Sequence, residues 1–260
     1  MILAIDIGNT NIVIGCIELK SKRSRIVFEA RLATDHVKTS DQYSIELMNI
    51  LQLFRVSPDA IDGAIISSVV PPVYNAIRSA VIKVAGCKPI VVGPGIRTGL
   101  NIRMDSPSQV GADLIVAAVA ALEEYEPPLI IVDMGTAITL SVIGEGNTFQ
   151  GGCIFPGVRV SMDALTSRTA QLPGISLDKP RRVIGKNSVD AMRSGIMYGT
   201  AAMIDGMIDR MEEESGEHYR LLATGGIAQY IIPLCRHELK LDHNLLLKGL
   251  ATLYRSNAKD

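Results

Sequence analysis

Residues 1–15, MILAIDIGNTNIVIG, and residues 128–144, PLIIVDMGTAITLSVIG, decide the fold, because they are two copies of one pattern. Each copy is an apolar run, an Asp-x-Gly with small polar residues, and a second β-branched run. The apolar runs read as strands and the polar centre as a tight turn. Asp6 and Asp133 then stand at the tips of two equivalent hairpins. Gly8 and Gly135 let the backbone approach whatever lies there. Backbone N–H groups of such a turn, with the hydroxyls of Thr10 and Thr136, suit phosphate oxygens. The two carboxylates suit a hydrated cation. Two facing copies would form a cleft for the phosphates of a nucleotide.

The rest of the chain is α/β around these hairpins. Strands are expected at 2–7, 11–18, 25–33, 62–68, 89–93, 129–144 (a pair) and 220–224. A helix is expected to start near Ser40 or Asp41, with Leu47, Ile50, Leu51 and Phe54 on one face. Pro71-Pro72 opens another, which stops before Gly86. Residues 94–110 read as a Gly/Pro/Ser-rich loop, followed by a helix at about 112–125 that ends before Pro127-Pro128. A Gly-rich segment spans 150–157. A long helix runs from Ser188 to about Glu214, with Val189, Met192, Ile196, Met203 and Met207 as its apolar stripe, for a core or a subunit interface. Its Gly195 and Gly199 would allow close approach of another element. A last helix covers about 244–255. The order repeats, which predicts two α/β domains of the same topology, at 1–117 and 118–260. No low-complexity linker separates them.

Composition narrows the function. The 260 residues carry a net charge of −1, and 47% are hydrophobic. That balance favours neither nucleic acid nor an anionic membrane as partner. The cluster Lys20–Arg25 is too small a footprint for nucleic acid and reads as a hairpin turn. Glu212-Glu213-Glu214 reads as a solvated helix end. Cys16, Cys87, Cys153 and Cys235 have no zinc or redox spacing and read as reduced, mostly buried thiols. His36, His218, His237 and His243 have no ligand spacing. The first apolar run is interrupted at Asp6, so it is not a leader peptide, and no apolar run approaches a membrane span. A cytoplasmic protein is expected.

Two further segments carry chemistry. Leu222-Ala223-Thr224-Gly225-Gly226-Ile227-Ala228 is a strand running into bare backbone, which can host a purine or ribose. Gly111-Ala112-Asp113 opens a helix. Asp113 there serves the helix dipole, or faces the cleft, orients a substrate hydroxyl and takes its proton during attack on a γ-phosphate. With the two hairpins, this set resembles the nucleotide site of the actin-like ATPase and sugar-kinase superfamily.

Over almost its full length the chain resembles the type III pantothenate kinases. The matching segments include SSVVPP at 67–72, VGPGIRTGLNIR at 92–103, GG-x-I-x-PG at 151–157, SRTAQLP at 167–173, IGKNSVDAMRSG at 184–195 and LLLKGL at 245–250. The resemblance implies a duplicated ribonuclease-H-like fold, with an interdomain cleft, in a homodimer whose second domains pair. It implies transfer of phosphate from Mg-ATP to pantothenate, giving 4′-phosphopantothenate on the way to coenzyme A, with dependence on potassium or ammonium. Asp113 matches the catalytic base. Asp6, Ile7, Gly8, Asn9, Thr10, Asn11, Ile12 and Val13 match the first phosphate turn, with Asp6 near the divalent cation through water. Thr136 matches the second phosphate turn, Gly225 and Gly226 the nucleotide turn, and Asp133 the monovalent-cation ligand. Gly111, Ala112, Asp113, position 114 and Ser188 match the pantothenate contacts, Ser188 in place of a usual Thr.

One departure stands out. The family motif is Gly-Ala-Asp-Arg, and this chain has Leu114 where the Arg stands. An Arg there would pair with the pantothenate carboxylate. Either another cation, such as Arg103 or Arg168, takes over, or affinity drops. Two other readings remain open on this residue: a kinase-like regulatory protein, and a kinase for a different hydroxy acid.

Overall fold

A computed structural model describes residues 1–20 and 24–258, which fall into two compact units. Of the basic turn expected at 20–25, residues 21–23 lie outside the described residues. The first unit comprises Met1–Leu100, Asp105–Glu124 and the chain from Asn244 onwards; the second comprises Asn101–Met104 and Tyr125–His243.

The first unit holds strands β1 (Ile2–Ile7), β2 (Asn11–Leu19), β3 (Ser24–Ala33), β4 (Gly63–Ser68) and β5 (Ile90–Val91), in sheet order β3-β2-β1-β4-β5. β1 pairs antiparallel with β2 and parallel with β4. Strand alternation splits β1 between two cores. Leu3, Ile5 and Ile7 face a cluster with α1 (Ser40–Leu53) and α2 (Pro71–Ala85), through Leu47, Leu51, Ile77 and Val81. Ile2 and Ala4 face α3 (Ala112–Glu124) and α7 (Leu245–Asn257), through Val116, Val119, Leu247 and Leu250. Each fully buried Ile or Leu contributes about 1.5–3 kcal/mol, so this double-sided burial fixes the register of β1. Thr39 caps α1 in a reciprocal box: Gln42 N donates to Thr39 Oγ1 (3.4 Å), and Thr39 N donates to Gln42 Oε1 (2.8 Å). α2 opens on Pro71-Pro72 and ends at Gly86, whose φ of 66° only glycine adopts readily.

The second unit repeats this plan with β7 (Leu129–Met134), β8 (Ala137–Gly144), β9 (Thr148–Pro156), β10 (Arg220–Thr224) and β11 (Lys240–Leu241). Its sheet order is β11-β10-β7-β8-β9-β6, where β6 (Asn101–Ile102) pairs parallel with β9. β7 therefore stands where β1 stands, with β8 and β10 as the counterparts of β2 and β4. Ile130, Val132 and Met134 pack on α5 (Ser188–Ser215). The buried stripe of α5 is Ile196, Met197, Ala201, Ile204 and Ile208, while Met203 and Met207 flank it half-buried.

The observed elements differ from expectation in several places: β11 was not expected, and the strand expected at 89–93 is only Ile90–Val91. The expected loop at 94–110 contains β6. The Gly-rich segment at 150–157 is strand β9, with Gly151 at φ 124° making the irregularity opposite Val142. Helix α4 (Val158–Arg168) was not expected; only its Val158 is buried, so it has no apolar stripe to read. The last helix, placed by sequence within 118–260, packs in the first unit. There Gly249 abuts the backbone of Val116, an approach that leaves no room for a Cβ.

Candidate functional site

Asp6 lies one residue from the end of β1 and is only 8% exposed. Its neighbours in the sheet are Val13 on β2 and Ser67 on β4. Alternation puts Asp6 and Ser67 on the face of Ile2, Ala4 and Ile65, which is the face that α3 and α7 cover. The turn beyond Asp6 closes by a hydrogen bond from Gly8 N to Asn11 O (3.0 Å). It leaves Asn9, Thr10 and Asn11 exposed, while Ile12 is buried and Val13 half-buried. Thr34, just after β3, braces this turn twice. Its N–H donates to Thr10 O (3.0 Å), and its Oγ1 donates to Gly8 O (2.6 Å). Nothing in the local sequence pattern marks Thr34, because the contact spans more than twenty residues.

The second turn is one residue shorter. Gly135 N donates to Ala137 O (3.0 Å), which leaves Thr136 exposed at the tip. Gly157 N donates to Thr136 O (2.9 Å) and braces it from the start of α4. A Cβ on Gly157 would collide with Thr136 O and would sit 2.5 Å from Gly135 O. Gly225 closes in from β10. Its φ is 95°, and a Cβ there would lie 2.5 Å from Met134 O and 2.7 Å from Met134 N. The structure thus brings Asp133, Gly135, Thr136, Gly157 and the Gly225-Gly226 turn together in one unit. Asp133 pairs across the sheet with Thr139 on β8 and Thr224 on β10, on the face away from α5.

Asp113 is in the first turn of α3. Its Oδ1 accepts from Leu114 N (2.9 Å). Burial pushes its carboxyl above the usual carboxylate range, against the lowering effect of the backbone N–H groups. Gly111 has no room for a side chain because Asp113 Oδ1 occupies that space. Ala112 and Leu114 are half-buried beside it. Ser188 is exposed as the first residue of α5. The cap is Asn187, whose Oδ1 accepts from Asp190 N (2.8 Å). Arg103 and Arg168 are exposed and belong to the second unit.

The donor set fits phosphates with weakly bound, hydrated cations. Among the described residues no three His, Cys, Asp or Glu side chains gather as a metal cage. Each Asp instead has a buried hydroxyl opposite it that lacks a protein partner: Ser67 Oγ for Asp6 and Thr139 Oγ1 for Asp133. A buried polar group left unpaired costs about 1–3 kcal/mol, which a bound water or ion relieves. One carboxylate, a hydroxyl and backbone groups are the donors expected where Mg²⁺ keeps its waters and takes its remaining ligands from phosphate.

Two of the four histidines pair with carboxylates. His237 Nε2 meets Asp209 (2.7 Å) and His218 Nδ1 meets Glu212 (3.3 Å), both at the surface. All four cysteines are free. Only Cys16 is fully buried, fewer than expected, and burial pushes the Cys235 thiol up to about 12. Asp205, inside α5 and buried, accepts from the backbone N–H of Arg236 (2.9 Å) and His237 (3.1 Å) and so anchors the loop after α6 (Ala228–Ile231). Among the described residues no helix is long and apolar enough to cross a membrane.

A sequence model described as type III pantothenate kinase matches residues 2–210. Type III pantothenate kinases of Listeria welshimeri and Listeria monocytogenes are each 41% identical over 257 residues, 99% of this chain and 98% of theirs. Among solved structures, a Campylobacter jejuni protein described as a Baf family transcriptional activator aligns with a TM-score of 0.61 at 19% identity, covering 98% of both chains. A Sinorhizobium meliloti protein described as a 2-dehydro-3-deoxygalactonokinase aligns with a TM-score of 0.59 at 12% identity over 100% of both. At such identities these two structures speak for the duplicated kinase-type fold alone.

Proposed function

The chain belongs to the type III pantothenate kinase family, which makes it an ATP-dependent phosphotransferase acting on pantothenate in coenzyme A synthesis, and we propose that Asp113 is its catalytic base. The observation that carries this role is the raised carboxyl of Asp113, held by Leu114 N at the start of α3. A base works best when its pKa approaches the working pH, and burial moves Asp113 that way. Asp113 accepts the proton of the pantothenate hydroxyl as that oxygen bonds to the γ-phosphorus and the bond to ADP breaks. Such transfers depend mainly on positioning and on charge around the phosphoryl oxygens.

The other residues position the reactants. The exposed turn at residues 9–11, with the Thr10 hydroxyl, receives phosphate oxygens between β1 and β2, braced by Thr34. Thr136 does the same at the second turn, braced by Gly157. The Gly225-Gly226 turn receives purine or ribose against bare backbone. Asp6 holds the hydrated Mg²⁺ and Asp133 a monovalent cation, potassium or ammonium. When bound, these cations neutralise charge on the phosphates. Gly111, Ala112, Leu114 and Ser188 contact pantothenate. With Leu114 in place of Arg, its carboxylate lacks one charge-assisted partner.

We also propose a cytoplasmic homodimer. The exposed Gly195 and Gly199 on α5, with open space where a Cβ would stand, would admit close approach of a second copy. The kinase reading is tested by ADP formation with ATP, pantothenate and potassium. Turnover that needs pantothenate supports it, and ADP formation indifferent to pantothenate overturns it. Parallel reactions with other hydroxylated acids test the substrate.

A further inference from the structure

The SSVVPP segment was set apart by its family resemblance alone, and the roles above leave its first residue without one. Ser67 is 0% exposed, and its Oγ has no hydrogen-bond partner. It is one residue from the end of β4, directly beside Asp6 in the parallel ladder between β1 and β4. Its neighbours on the same face, Ile65 and Ala4, are core. The alternation would therefore place a hydrophobic residue at 67, as it does at 65. A serine placed where an apolar residue would pack, with its hydroxyl unsatisfied and a carboxylate next to it, is aimed at something the protein itself does not supply. In the second unit the residue at the position of Ser67 is Thr224 on β10, again a hydroxyl at 2% exposure beside the strand-end Asp133, while the unpartnered Thr139 Oγ1 lies on the other side of Asp133, on β8.

We infer that Ser67 is a positioning residue, whose hydroxyl holds a water of the divalent cation's shell together with Asp6 and so couples cation binding to nucleotide binding. The inference rests on the reading of Asp6 as the divalent-cation carboxylate. A hydroxyl suits the task because it can donate to the carboxylate side while accepting from a cation-bound water, both without adding charge. It touches neither the transferred phosphoryl group nor the substrate hydroxyl, so its effect passes through the cation.

The test measures Mn²⁺ affinity by electron paramagnetic resonance in the ADP complex, and ADP affinity by calorimetry with and without Mn²⁺. Wild type, Ser67→Ala, Ser67→Thr and Asp6→Asn are compared, with thermal unfolding of each ligand-free protein. In Ser67→Ala the Mn²⁺ affinity is expected to fall about tenfold, equivalent to about 1.4 kcal/mol, with metal-free ADP affinity unchanged. The ligand-free Ser67→Ala protein should unfold no earlier than wild type, because the change removes an unpaired buried hydroxyl. Ser67→Thr should recover most of the Mn²⁺ affinity. Ser67→Cys, near in size and lacking the hydroxyl, should repeat the loss if alanine disturbs packing. If Asp6→Asn loses Mn²⁺ affinity while Ser67→Ala and Ser67→Cys do not, the inference about Ser67 is overturned and the cation site stands. If Asp6→Asn also binds Mn²⁺ as wild type does, the reading of Asp6 fails and takes the inference with it.

Discussion

Gly157→Ala isolates the bracing of the second phosphate turn. The backbone of Gly157, at φ −64° and ψ 161°, is open to any residue, so the substitution adds no local strain. Loss of freedom in the unfolded chain would by itself stabilise by about 0.4–1 kcal/mol. The new methyl, however, would stand 2.5 Å from Gly135 O and closer still to Thr136 O. Ordinary carbon–oxygen contacts are about 3.3–3.6 Å, so the turn must retreat by about 1 Å. Crowding of this kind costs about 1–3 kcal/mol, and stretching the Gly157 N–H bond to Thr136 O a further ~0.5–1.5 kcal/mol. The net destabilisation is about 2–3 kcal/mol, or a fall in Tm of about 4–12 °C at ~2–4 °C per kcal/mol. A 1 Å displacement of a positioning group lowers kcat/KM for ATP by about a hundredfold. Scanning calorimetry and initial rates at varied ATP measure both effects. Gly174→Ala, where the methyl meets open space, should leave both unchanged. If Gly157→Ala matches wild type in Tm and in kcat/KM for ATP, the contact does not set the turn and the reasoning is refuted.

Four other outcomes are expected. Asp113→Asn should lower kcat by about 10²–10⁴, the usual worth of a general base, while ATP still binds by calorimetry. The same variant should be more heat-stable at neutral pH. The folded carboxyl is raised above the unfolded value. Its stability deficit is thus absent below the unfolded pKa, grows as pH rises through the folded pKa and is complete above it. Melting curves from pH 3 to 8 should therefore converge for the two proteins in acid, and divergence there would contradict the burial argument. Leu114→Arg should lower KM for pantothenate about tenfold to a hundredfold, the worth of a hydrogen bond to a charged group, with KM for ATP unchanged. Gly199→Arg should convert a dimer into a 28.0 kDa monomer in sedimentation, and an unchanged mass would remove α5 from the interface.

The sequence exposed the hairpins because an Asp after an apolar strand and a Gly in its turn are local signals, and their repetition halfway along carried the duplication. Helix ends were legible where Thr39, Pro71 and Gly86 act on neighbouring backbone. α4 escaped because its residues bury only Val158, so no period marks it. β9 was obscured by Gly151 and Gly152, whose lack of side chains hides strand alternation. The amphipathic face of α7 was visible, but no periodicity says which sheet a helix covers, and it went to the first. Within the site, Asp6 and Asp133 were readable as charges after apolar strand runs, and Asp113 as a carboxylate in the first turn of a helix. Thr34, Gly157 and Ser67 were not, because each matters through a contact with a segment distant along the chain.

The most direct test of the account is transfer of label from γ-labelled ATP to pantothenate, with potassium present and absent, by wild type and Asp113→Asn. The account predicts labelled 4′-phosphopantothenate from wild type, dependence on potassium, and loss of transfer in Asp113→Asn despite intact ATP binding. Transfer by Asp113→Asn at the wild-type rate would contradict it.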